Sequence, residues 1–160
     1  MQLQTKFPTV SIDELSASGV KCDQDEQRDR APARQPVALV VDDDRLIADS
    51  TTAVLATHGF RAHAAYGGAE ALRIARELRP DLVLTDVRMP RLNGVEVALQ
   101  LRRQMPHCVV LLFSGEVEFS DLPGLGGAPA AELELLRKPL HPKDLVARLR
   151  QLGFRCQRAA

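Results

Sequence analysis

The sequence predicts an α/β fold in which a parallel sheet carries helices on both faces. Three observations predict it. From Val37 onward, apolar runs of strand length alternate with segments of helical periodicity, the pattern that right-handed crossovers convert into a parallel sheet. The run VALVV is unbroken by polar residues, as in a strand covered on both faces. The runs also end in polar residues, at the position where open parallel sheets bind ligands.

The elements follow in order. VALVV is the first strand, and a helix runs from about Asp44 to His58, with Asp44 read as a cap for free amides rather than as a ligand. FRAHAA is a weak second strand. Gly67 and Gly68 suit the loop opening a helix from Gly68 to Leu78, which Pro80 stops. Asp81 reads as a turn residue opening the strand DLVLTD. Asn93 and Gly94 read as a turn and a cap for a helix closing near Pro106. CVVLLFS is the fourth strand and Leu133 to Arg137 the fifth. A helix from Pro142 to Leu152 completes the pattern, with His141 at its cap. Between Ser120 and Ala131 the rhythm breaks: DLPGLGGAPA holds two prolines and three glycines where a helix is due, so that helix is expected to be short or absent.

A chain of 160 residues has room for one core plus an extension. Residues 1–36 are polar and lack sustained periodicity, apart from a thin helical signal around Ile12 to Leu15, and read as a disordered tail. Residues 37–154 form the foldable domain, and 155–160 a short C-terminal tail. After Phe154 only RCQRAA remains, so a stand-alone module is expected.

Lys plus Arg and Asp plus Glu both number 21, so the net charge is zero and no whole-chain attraction to nucleic acid or anionic lipid is expected. The arginines are scattered among acids. The expectation is therefore that neither nucleic acid nor a membrane is a partner. Cys22, Cys108 and Cys156 have no metal-binding spacing, and an odd count suits a reducing compartment. With no leader-like start and no stretch long enough to span a bilayer, a cytoplasmic protein is expected. His58, His63, His107 and His141 have no zinc-ligand spacing.

The strand ends carry the chemistry. The first ends in Asp42, Asp43 and Asp44, the third in Asp86, the fourth in Ser114 and the last in Lys138. Converging carboxylates repel unless a cation sits between them, which implies a hard divalent metal such as Mg²⁺. Such a metal favours phosphoryl chemistry, and a carboxylate can be the nucleophile that becomes an acyl phosphate. Lys138 offers an ammonium and Ser114 a hydroxyl to the remaining phosphoryl oxygens.

VALVVDDD, DLVLTDVRMPRLNG, VVLLFSG and LLRKP, in this order and spacing, resemble the receiver domain of two-component response regulators over roughly Val37 to Phe154. That resemblance implies a flavodoxin-like, doubly wound, five-stranded parallel sheet of order 2-1-3-4-5. It implies Asp86 as phosphoacceptor, served by a sensor histidine kinase or a histidine phosphotransfer protein. It further implies Mg²⁺ bound by Asp43 and Asp86 directly, by Asp42 mainly through water, and by the backbone carbonyl of Arg88. Ser114 would donate to the phosphoryl group, Lys138 would pair with it, and the bond to Pro139 is often cis in such domains. On this reading the protein is a phosphoacceptor and not an enzyme, autodephosphorylation aside. It signals by docking on an unknown protein target or by passing the phosphoryl group onward.

Two departures bear on output. Leu135 stands where receivers commonly carry Tyr or Phe, and the run DLPGLGGAPA falls on the same outer face, so an atypical readout is expected. Arg88 and Glu116 flank the entrance and are candidates for a bridge across it. The main alternative is a phosphorylation-independent docking module that keeps the receiver fold. A phosphate-ester hydrolase fits less well, because Arg88 stands where such enzymes usually carry a second acid. A DNA-binding transcription regulator lacks support, since no helix-turn-helix pattern follows.

Overall fold

Every strand predicted from the apolar runs is present and parallel. The computed structural model describes residues 34–115 and 133–156. The strands are β1 (Val37–Val41), β2 (Arg61–Ala65), β3 (Leu82–Asp86), β4 (Val109–Ser114) and β5 (Glu134–Arg137). The helices are α1 (Arg45–Thr57), α2 (Gly68–Leu78), α3 (Gly94–Gln104) and α4 (Pro142–Gln151). The sheet order is β2-β1-β3-β4-β5, the 2-1-3-4-5 order that the resemblance implies. The expected tail through residue 33, the interrupted helix between Ser120 and Ala131, Glu116 and the last four residues lie outside the described residues.

Alternation along the strands divides the core in two. Leu39, Val41, Val83, Val110 and Leu112 face α2 and α3, whereas Ala38, Val40, Leu82, Leu84 and Leu111 face α1 and α4. Both faces are apolar because both are covered, so the strand runs show no polar alternation. Leu39, Leu82, Leu111 and Leu112 are fully buried, and truncating any one to alanine costs about 2–5 kcal/mol.

Capping sets where the helices begin. Asp44 accepts hydrogen bonds from the amides of Leu46 at 2.9 Å and Ile47 at 3.4 Å, as its position predicts. Asn93 and Glu96 form a reciprocal capping box at the start of α3. His141 caps α4 by accepting from the Lys143 amide at 3.2 Å, with Pro142 in the first turn. α2 ends at Arg79, whose φ of 50° is left-handed, just before Pro80.

The lower edge of the sheet is tied by Asp81. Its carboxylate accepts from both terminal nitrogens of Arg34, at 2.9 and 2.6 Å, and from the Val37 amide at 2.8 Å. Asp81 is thus more than a turn residue: it joins the start of β3 to the chain entering β1. No described helix is long and apolar enough to cross a membrane.

Candidate functional site

Parallel pairing places every strand's carboxyl end on one edge, and ladder bonds extend past the strands to position the site. The Asp42 amide donates to the Ala65 carbonyl at 3.1 Å, continuing β1 beside β2. The Lys138 amide donates to the Ser114 carbonyl at 2.7 Å, continuing β5 beside β4. The backbone therefore sets Asp42, Asp86, Ser114 and Lys138 along one edge, and all but Lys138 are buried.

Lys138 spans this edge. Its Nζ donates to Asp42 Oδ2 at 2.7 Å and to Asp86 Oδ1 at 2.6 Å, joining residues 96 and 52 positions away. The other Asp42 oxygen accepts from the Asp44 amide at 3.0 Å. The Arg88 amide donates to the Asp86 carboxylate. The Lys138–Pro139 bond is cis. Asp43, by contrast, is exposed on the loop after β1, outside the Lys138 bridge.

The electrostatics follow from one ammonium serving two buried carboxylates. Burial pushes the Asp86 carboxyl above its ordinary value, Lys138 and the Arg88 amide pull against this, and the Asp42 charge adds to the rise. For Lys138 burial opposes the charge, but hydrogen bonds to Asp42 and Asp86 prevail and hold the ammonium above its usual range. The cluster keeps a net negative charge that a further cation would offset.

Whether Mg²⁺ suits these residues turns on their donors. Carboxylate oxygens from Asp42 and Asp86 meet at one point, the donor type a hard cation selects. In this geometry, though, the Lys138 ammonium lies between them, and no group of three or more His, Cys, Asp or Glu among the described residues is gathered as a metal cluster. Asp43 would have to turn inward from its exposed position to join a ligand set.

Three residues at the site escaped the reading from sequence. A Cβ added to Gly94 would lie 1.8 Å from the Asp86 carbonyl oxygen, so only glycine lets α3 begin this close to β3. The Gly94 amide donates to the Val87 carbonyl at 3.1 Å, closing the loop from Asp86. Thr85, fully buried, donates its hydroxyl to the same Asp86 carbonyl at 3.1 Å. The ring of Phe113 lies 5.0 Å from Lys138 Nζ. Asn93–Gly94 did signal a turn, whereas Thr85 and Phe113 sit inside apolar runs that read as core. Leu135 is half-buried on β5 and packs on the α2–α3 side.

Comparison with known proteins agrees with this geometry. The family model for the response regulator receiver domain matches residues 38–150. The DNA-binding response regulator MtrA of Mycobacterium leprae is 41% identical over 112 residues, covering 70% of this chain and 48% of MtrA. The response regulator MprA of Mycobacterium sp. (strain KMS) is 38% identical, covering 71% and 49%. The chain thus spans about half the length of these curated relatives. Among solved structures, the chemotaxis protein CheY4 of Vibrio cholerae matches with a TM-score of 0.65 at 27% identity, covering 73% of this chain and 98% of that one. A Francisella response regulator receiver domain gives 0.62 at 27%, covering 73% and 95%.

MtrA overturns one expectation, that nucleic acid is excluded as a partner. That exclusion rested on zero net charge and on the missing helix-turn-helix pattern in these 160 residues. Charge summed over a stretch matching 48% of a DNA-binding relative does not report on what that relative's remaining residues contact.

Proposed function

The chain belongs to the response regulator receiver family, and from that premise we propose that it accepts a phosphoryl group on Asp86 from a histidine kinase or a histidine phosphotransfer protein. The observation that carries this reading is the Lys138 bridge between Asp42 and Asp86 at the carboxyl edge of the sheet. A buried carboxylate with an ammonium against one oxygen keeps its other oxygen available as nucleophile.

In the transfer, an Asp86 oxygen forms the new O–P bond as the N–P bond of the donor phosphohistidine breaks, and the departing imidazole takes up a proton. Asp86, the Arg88 carbonyl, Asp43 once turned inward, and Asp42 mainly through water would hold Mg²⁺, which would supply positive charge to the transferring oxygens. Lys138 pairs with one phosphoryl oxygen and the Ser114 hydroxyl donates to another. The Thr85 hydroxyl and the bare Gly94 Cα hold the Asp86 backbone so that its carboxylate stays at the edge.

Output runs by docking on a target or by onward phosphotransfer, in the cytoplasm. Nucleic acid stands among the targets this reading admits, since the relative MtrA is a DNA-binding response regulator. Incubating the chain with Mg²⁺ and a small acyl phosphate tests the reading. Intact mass rises by one phosphoryl group in wild type and stays unchanged in Asp86→Asn; no rise in wild type sinks the proposal.

A second reading has one observation in its favour. Lys138 already pairs with both Asp42 and Asp86, an arrangement that also suits a docking module that never meets phosphate. A wild-type chain that binds its partner equally with and without the phosphodonor supports that alternative.

A further inference from the structure

An aromatic ring does stand at this site, on the face of the sheet opposite Leu135. Leu112 pairs with Leu135 and packs with it on the α2–α3 side, so Phe113, paired with Leu136, faces α1 and α4. The Phe113 centroid lies 5.0 Å from Lys138 Nζ, within the range at which an aromatic face attracts a cation. Phe113 also borders a recess of about 210 Å³, whose other walls include Val54 of α1, Leu140, and Pro142 and Leu145 of α4. The recess is half open to solvent, with Ser50 and Thr51 of α1 also on its wall, so the half-buried ring beside it has room to shift.

Resting on the reading of Asp86 as phosphoacceptor, we propose that Phe113 is a positioning residue that holds the Lys138 ammonium between Asp42 and Asp86 and moves into the α1–α4 recess when the site is modified. A phosphoryl group on Asp86 presents its charge beyond the present Oδ1 contact. Lys138 follows that charge and its separation from the ring changes. Cation–ring attraction is short-ranged, so the ring loses its partner and settles against Val54, Leu140 and Leu145 in the recess. The α1–α4 side then carries the modification state, in place of the surface on which Leu135 lacks a ring.

The chain contains no tryptophan, so Phe113→Trp introduces a single indole at this point. With Mg²⁺ and a small acyl phosphate, its emission is expected to change with the same time course as the mass gain on Asp86. The double variant carrying Asp86→Asn shows neither change. In parallel, a chain labelled with fluorophenylalanine keeps the native ring: the Phe113 resonance, assigned by its loss in Phe113→Leu, moves on modification. It also moves in Lys138→Met without any phosphodonor, while the tilted ring pair Phe60 and Phe154 stays in place. Phe113→Leu slows transfer about threefold, and Phe113→Tyr restores it. Mass gain with an unmoved Phe113 resonance overturns the proposal and leaves the phosphoacceptor reading intact. An absence of mass gain overturns both.

Discussion

Asp81 and Asp86 stand at opposite ends of β3, yet their surroundings push them in opposite directions. Asp81 lies at the amino end, where burial would raise its carboxyl but Arg34 and the Val37 amide prevail and hold it low. Asp86 lies at the carboxyl end, where burial and the Asp42 charge outweigh Lys138 and hold it high. The difference is one of burial first, deeper at Asp86, and of shared charge second. Among the described residues, Asp81 has a guanidinium to itself, whereas Asp86 shares one ammonium with a second carboxylate. A satisfied acid fastens the sheet, and an under-compensated one is left available for chemistry.

The largest expected effect breaks the comparison outright. Asp86→Asn removes the phosphodonor-dependent mass gain entirely and Asp81→Asn leaves it; loss of transfer in both variants refutes the division between a reactive and a structural end. Next in size is Gly94→Ala. Its Cβ must displace the Asp86 carbonyl, which costs about 3 kcal/mol in urea unfolding, together with slower transfer. Wild-type stability in that variant shows that the close approach of α3 to β3 is not required.

A smaller effect sharpens the comparison through pH, in chelator and without phosphodonor. Above 3.8, folded Asp86 keeps a proton that the unfolded chain has released, so stability falls as pH rises toward its raised value. Below 3.8, folded Asp81 has released a proton that the unfolded chain keeps, so its contribution is lost as pH falls through its lowered value. Urea midpoints across this range should lose the first slope in Asp86→Asn and the second in Asp81→Asn. Profiles that coincide with wild type in both variants remove the contrast.

The last effect concerns Cys108, beside the start of β4. Burial first, and then the Asp81 charge, push its thiol up to about 12. At pH 8 its alkylation is expected to be about 1,000-fold slower than that of free cysteine, with a slight gain in Asp81→Asn. Labelling as fast as free cysteine contradicts the burial.

Most of the candidate site was legible because parallel sheets gather strand ends, and the strand ends carry their polar residues in plain view. Asp42, Asp86, Ser114 and Lys138 each terminate an apolar run. Phe113 was not legible, since an aromatic inside VVLLFS looks like any core residue until its neighbour on β5 is known. Asp43 was expected to reach the metal directly and Asp42 mainly through water, but β1 hands over to its loop between them, leaving Asp42 buried and Asp43 exposed. Gly94 looked like an ordinary cap, and only the nearness of the Asp86 carbonyl makes a side chain there untenable.

The sequence by itself determined the α/β class, the strands, the starts of the helices and their caps. Each depends on periodicity or hydrogen bonds spanning only a few residues. Tertiary structure alone decided that Lys138 lies between Asp42 and Asp86, that Arg34 closes on Asp81, and that Phe113 turns toward the recess while Leu135 turns away. Those contacts join residues tens of positions apart. They exist only once strand register has chosen which side chains share a face and which ends share an edge.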